Sequence, residues 1–99
     1  MSLVYQISNL AQQDLEDIWL YTFKNWSLTQ ADKYYRLVIK EFIKICEDPE
    51  VGFSIDHVKP GHRIRPIKSH IIVYKLQSNK IWIDRILHKN MDLEARISE

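Results

Sequence analysis

An α+β domain, in the order β-α-α-β-β-β with an antiparallel sheet packed on an N-terminal helical hairpin, is predicted by three features of the sequence. In the first half, two apolar stripes recur at three- and four-residue steps, the period of helices buried on one face. Only one or two residues separate the stripes, so the helices must fold back as a hairpin. Beyond residue 61 the period drops to two in β-branched runs, which is the signature of strands.

Element by element, Leu3-Val4-Tyr5-Gln6-Ile7 is a short, partly β-branched strand. Ser8 is placed to cap the following helix, Leu10 to about Asn25, whose face is Ala11, Leu15, Ile18, Trp19 and Thr22. Asp14, Glu16 and Asp17 fall in its early turns, where the helix dipole favours acids. Ser27-Leu28-Thr29-Gln30 is a capping box that opens a second helix, with Ala31, Tyr34, Tyr35, Val38, Phe42 and Ile45 facing the core. Asp48-Pro49 ends it. A loop over roughly 50–61 leads to Arg63-Ile64-Arg65-Pro66-Ile67, an edge or short strand because Pro66 cannot donate to a ladder. His70 to Leu76 and Lys80 to Leu87 are two further strands joined by a turn at Gln77-Ser78-Asn79. The tail from Asp92 is expected to form at most one helical turn with little to bury.

Composition bounds the function. The 99 residues suit one domain, 1–99, and three Trp, five Tyr and three Phe supply a core. Cys46 is the lone cysteine and is expected to be inert packing, and no apolar stretch approaches a membrane span. A cytoplasmic protein with no membrane partner and no cofactor is the expectation. Net charge is +1, but residues 1–50 carry five Lys/Arg against eight Asp/Glu, and residues 51–99 carry nine against five. The basic second half suits an anionic partner, or equally a solvated sheet edge. His57, His62, His70 and His88 lack metal-ligand spacing, and His70 and His88 read instead as neighbours in a hydrogen-bond network. No serine has the companions of a nucleophile: Ser8 and Ser27 are caps, Ser69 and Ser78 turn residues.

Several short patterns taken together resemble the ParE toxins of the RelE/ParE superfamily. They are Asp14-Leu15-x-x-Ile18, Trp26-Ser27, Gln30-Ala31-x-x-Tyr34, Pro49-x-x-Gly52, Gly61-x-Arg63, Ser69-His70-x-Ile72-x-Tyr74 and, most specific, Arg85-Ile86-Leu87-His88-x-x-Met91-Asp92. The resemblance covers nearly the whole chain. It implies the toxin of a type II toxin–antitoxin pair that acts on DNA gyrase by stabilising its cleaved-DNA complex, touches DNA only within that complex, and is neutralised by a ParD-like antitoxin. The superfamily also holds ribosome-dependent mRNA endonucleases of the RelE kind, so fold alone does not choose between binder and enzyme. Arg63 and Arg65 stand where two basic residues of those nucleases stand. By position their next sheet Arg falls at Ile71 and their C-terminal Arg at Asn90, while no tyrosine follows Tyr74. That pattern disfavours a nuclease. A toxin-like module that only binds its antitoxin for regulation is a third reading.

Candidate target-binding residues are Arg63, Arg65, His88, Lys89, Asn90 and Met91. Arg63 and Arg65, two apart on a strand, project from one face to meet an acidic partner or phosphate, or one of them pairs with a local carboxylate such as Asp84. For the C-terminal signature the reading is mixed: Arg85 and Asp92 structural, with Arg85 bridging to the first helix, and His88 to Met91 exposed and functional. Leu20 and Phe23 on the first helix, and Ile39 and Ile43 on the second, leave the core faces and are candidates for a patch that takes an antitoxin segment.

Overall fold

The computed structural model describes residues 3–90 and 93–97. Strand β1 (Val4–Ile7) leads into helices α1 (Asn9–Asn25) and α2 (Leu28–Glu47), followed by β2 (Phe53–Ser54), β3 (His62–Ile67), β4 (His70–Gln77), β5 (Lys80–His88) and a short helix α3 (Leu93–Ile97). Both helices start where the caps predict. Ser8 Oγ accepts from the Ala11 N–H at 3.0 Å and Ser27 Oγ accepts from the Gln30 N–H at 3.1 Å, satisfying amides that a first turn leaves without partners. The hairpin is pinned by Trp19 Nε1, which donates to Asp32 Oδ1 at 3.1 Å.

The sheet corrects the expectation of a wholly antiparallel array. Its strand order is β1-β5-β4-β3-β2, and β1 runs parallel to β5 while the other pairs are antiparallel. Hairpin turns dictate antiparallel neighbours for β3, β4 and β5, whereas β1 reaches β5 only through the long excursion over the helices, so no turn specifies its direction. A fifth strand lies in the segment read as loop: Phe53 and Ser54 pair with Ile64 and Arg63. Since β2 stops there, Pro66 sits on a stretch of β3 paired on one side only, to Ile71 of β4.

Both faces of the sheet are covered. On one, Ala11, Leu15, Val38, Phe42 and Ile45 of the hairpin pack on Ile72, Tyr74, Ile81, Ile83 and Ile86. Tyr35, assigned to that core, is instead exposed, and the chain buries Cys46 there, its thiol pushed up mainly by burial and secondarily by Glu47. On the other face Ile55 and Ile97 cover Val73 and Leu87. The tail is therefore not idle: Ile97 of α3 is buried, and the expectation that it has little to bury fails. The continuous run Ile71-Ile72-Val73-Tyr74, apolar on both faces, was the signal for this second cover.

A β-bulge in β5 sets the site's scaffold. Val73 faces Arg85 but Tyr74 faces Ile83, so Asp84 is the extra residue. The slip lets Ile83 and Ile86 both reach the hairpin core. It also turns Asp84 toward His62, whose Nε2 lies 2.6 Å from Asp84 Oδ2 and whose Nδ1 lies 3.0 Å from the Pro60 carbonyl.

Candidate target-binding site

The C-terminal end of β5 is held from below by α1. Asp14, expected to serve the helix dipole, instead accepts from Arg85 Nε at 2.9 Å, from Arg85 Nη2 at 3.1 Å and from the Ile86 N–H at 2.9 Å. This two-pronged, mostly buried pair fixes the strand just before His88. Arg85 thus bridges to the first helix, as the mixed reading expected. Beyond it the Lys89 N–H bonds the Ser69 carbonyl at 2.9 Å and the Asn90 N–H bonds His88 Nδ1 at 3.2 Å. These two bonds fold the chain into a turn that leaves His88, Lys89 and Asn90 exposed. Met91 and Asp92 lie outside the described residues.

His88 stands over His70, ring centroids 5.3 Å apart and edge to face, as neighbours predicted from sequence. Tyr34 Oη lies 2.7 Å from His70 Nδ1 and 3.3 Å from the Ile67 carbonyl. Burial, reinforced by His88 and partly offset by Asp14, lowers the His70 pKa to about 4, so its ring is neutral at neutral pH. Burial also pushes the Tyr34 hydroxyl up. These groups close one end of a groove of about 790 Å³ whose walls include Tyr21, Trp26, Tyr34, His70 and His88. Sequence reasoning missed Tyr21, Trp26 and Tyr34 as site residues. Tyr21 and Trp26 are 66% and 76% exposed, which periodicity alone does not explain for rings of that size.

Arg63 and Arg65 are placed elsewhere, on the hairpin side of β3, and each has an intramolecular partner. Arg63 Nη1 donates to the Gly52 carbonyl at 2.9 Å, and Arg65 Nε donates to Glu41 Oε1 at 2.6 Å. The local carboxylate is Glu41, a buried residue of α2, and not Asp84, which the bulge gives to His62. The four apolar candidates divide. Leu20, Phe23 and Ile43 are 43%, 45% and 47% exposed, whereas Ile39 is half-buried against the core. Phe23 stacks on Trp19 with centroids 5.3 Å apart, and Ile43 borders a small groove with Leu3, Val4 and Tyr5. Among the described residues no group of three or more His, Cys, Asp or Glu is arranged to hold a metal, and no helix is long and apolar enough to cross a membrane.

A helical hairpin on a five-stranded mixed sheet, with an exposed histidine and aromatic end, defines a small α+β protein. Residues 5–93 match the family model described as the ParE toxin of the type II toxin–antitoxin system parDE. The chain is 32% identical over 98 residues to Toxin ParE1 of Mycobacterium tuberculosis (strain CDC 1551 / Oshkosh), covering 98% of this chain and 100% of that one. Its fold is similar to a chain of the chromosomal ParDE toxin–antitoxin system from P. aeruginosa, with a TM-score of 0.77, 16% identity and coverage of 88% and 96% of the two chains. A chain of the toxin–antitoxin complex RelBE2 from Mycobacterium tuberculosis is similar at a TM-score of 0.68 and 15% identity, with coverage of 90% and 100%. The chain belongs to the ParE toxin family of type II toxin–antitoxin systems.

Proposed function

We propose that this ParE-family toxin acts in the cytoplasm without catalysis, binding DNA gyrase and stabilising its cleaved-DNA complex until a ParD-like antitoxin neutralises it. The observation that carries this reading is the occupation of the sheet positions a nuclease would use. Cleaving a phosphodiester needs free cations for the developing charge and a positioned proton donor or acceptor. Here Arg63 and Arg65 are bonded to Gly52 and Glu41, Ile71 packs against the apolar cluster of the second face, and His62 is buried against Asp84. At the end of β5 a binding set, His88, Lys89 and Asn90, is exposed, and the Asp14–Arg85 pair anchors the strand just before it. Met91 continues that segment in the sequence and belongs to the proposed target surface. Arg63 and Arg65 belong to the proposed target surface through the guanidinium donors that their bonds to Gly52 and Glu41 leave over. For the antitoxin, Leu20, Phe23 and Ile43 offer exposed apolar area, and Ile39, half-buried against the core, offers less.

The test is supercoiling by purified gyrase with this protein titrated in, followed by detergent and protease treatment. Inhibition with accumulated linear DNA, reduced in a His88→Ala variant that keeps its circular dichroism, is the expected outcome. Unimpaired supercoiling at excess folded protein, with mRNA cleavage on ribosomes, would replace the binder by an endonuclease. Neither activity, with tight antitoxin binding, would leave a regulatory module.

A further inference from the structure

Two grooves meet at Tyr34. The aromatic and histidine groove described above shares Gln30 and Tyr34 with a second, of about 330 Å³, whose charged residues are Lys33, Arg36, Lys40 and Lys68. No carboxylate lines this second groove. Lys33, Arg36 and Lys40 follow at steps of three and four on α2 and so share one face, and Lys68 comes from the β3–β4 turn. Among the described residues, none of the four has a carboxylate at ion-pair distance. The acids of α2 that stand nearby are engaged elsewhere: Glu41 with Arg65 and Lys44, and Asp32 with Trp19.

The four cations are gathered against local preference. Arg36 and Lys40, four apart on a helix, repel each other. Lys68 holds φ at 50°, in the left-handed region that disfavours a side chain, at a turn position where glycine would be relaxed. Sequence reading missed the cluster because the first half of the chain is acidic overall. The hairpin sorts that half, turning these cations to one face.

We propose that the two grooves together bind an unpaired nucleic-acid strand, its phosphates along Lys33, Arg36, Lys40 and Lys68 and a base stacked against Trp26 and Tyr21. A nucleotide carries an anion and a planar ring in each repeat, which is what the juxtaposed grooves accommodate. An acidic protein segment would satisfy the cations and leave the aromatic groove without a partner. A duplex keeps its bases inside the stack, out of reach of Trp26. The inference deepens the gyrase reading and rests on it only for the source of the strand, namely DNA opened in the cleaved complex.

Binding is measured without gyrase, by anisotropy of a labelled single-stranded oligothymidylate of about 12 nucleotides, a length within the usual site range. With the full chain, log K should fall linearly with log salt, by about 0.7 per phosphate contacted. Arg36→Ala with Lys40→Ala should weaken binding and flatten that slope by about 1.4. Trp26→Ala, at an exposed position that leaves folding intact, should weaken it roughly 5- to 150-fold with the slope unchanged. No binding at low salt, wild-type affinity in Trp26→Ala, or equal competition by duplex DNA or by polyglutamate would each overturn the proposal, the last pointing to an acidic protein partner. Strand binding by a protein that leaves supercoiling untouched would sink the gyrase reading alone, and gyrase poisoning without strand binding would sink this one alone.

Discussion

Adding a single methyl group at Gly52 should cost this protein a large part of its stability. A Cβ built there would lie 2.6 Å from Tyr74 Oη, 2.7 Å from the Ile64 carbonyl oxygen and 2.8 Å from Tyr74 Cε1. The second atom is backbone in a paired strand, and the others belong to a fully buried ring, so none can yield cheaply. Tyr74 is also fixed at its polar end: its hydroxyl accepts from the Gly52 N–H at 2.9 Å and donates to the Pro49 carbonyl at 2.7 Å. Burial pushes that hydroxyl's pKa up, so it stays protonated and able to donate. Overpacking costs about 1–3 kcal/mol and the two displaced hydrogen bonds about 1 kcal/mol each, so Gly52→Ala should lose roughly 3–5 kcal/mol. Small domains hold about 5–15 kcal/mol in total, so the variant would be marginal. Urea titration followed by tryptophan fluorescence reads this as a fall in midpoint at constant slope. Tyr74→Phe, which removes the hydroxyl but not the packing, should lose only about 1–3 kcal/mol. In the double variant the penalties should be less than additive, because the methyl group no longer meets the Tyr74 hydroxyl, although the Ile64 carbonyl still opposes it. A loss below about 1 kcal/mol for Gly52→Ala would show that the 49–52 loop relaxes freely, and the argument from close approach would be wrong.

Three further outcomes follow from the described contacts. His70 stays neutral in the folded protein down to about pH 4, whereas an unfolded histidine takes up its proton near 6.5, so its share of stability is present above about pH 6.5 and is lost as pH falls toward 4. Allowing for the ring's partial exposure, urea midpoints should register a loss of about 1 kcal/mol between pH 7.5 and pH 5, and His70→Gln should remove that component; an identical pH dependence in the variant would refute it. Arg65→Ala leaves Glu41 buried with only a 3.9 Å contact to Lys44, and thermal melts should show a loss of roughly 2–4 kcal/mol that Glu41→Gln partly restores. Leu20→Asp together with Ile43→Asp should leave the melting temperature nearly unchanged, since both side chains are about half exposed, while calorimetric titration shows weakened antitoxin binding. Unchanged affinity would remove these residues from the antitoxin surface.

Family membership and the RelE/ParE fold were legible because many short patterns had to occur in one order, and because the helical and strand periods each repeat over enough residues to be counted. The direction of β1 was not legible, nor was β2, whose two residues carry no period at all. Among candidate residues, His88, Lys89 and Asn90 are exposed as expected, while Arg63 and Arg65 turn out to be bonded within the chain. Two basic residues on alternate strand positions look alike in sequence whether they face solvent or, as here, a carbonyl 11 residues away and a carboxylate 24 residues away.

What the sequence determined by itself is what acts over one or two turns. Ser8 and Ser27 cap helices by accepting from amides three residues on, and Ser78-Asn79 turns the β4–β5 hairpin with both residues at positive φ. Tertiary structure alone decided the pairs that close over long separations: Asp14 with Arg85, Glu41 with Arg65, His62 with Asp84 and Tyr34 with His70. It also gathered Tyr21, Trp26, Tyr34, His70 and His88 into one groove and aligned Lys33, Arg36 and Lys40 beside Lys68. The physical reason is that a cap or turn is selected by bonds within a few residues, whereas a site is selected by which faces of separate elements the burial of the core brings together.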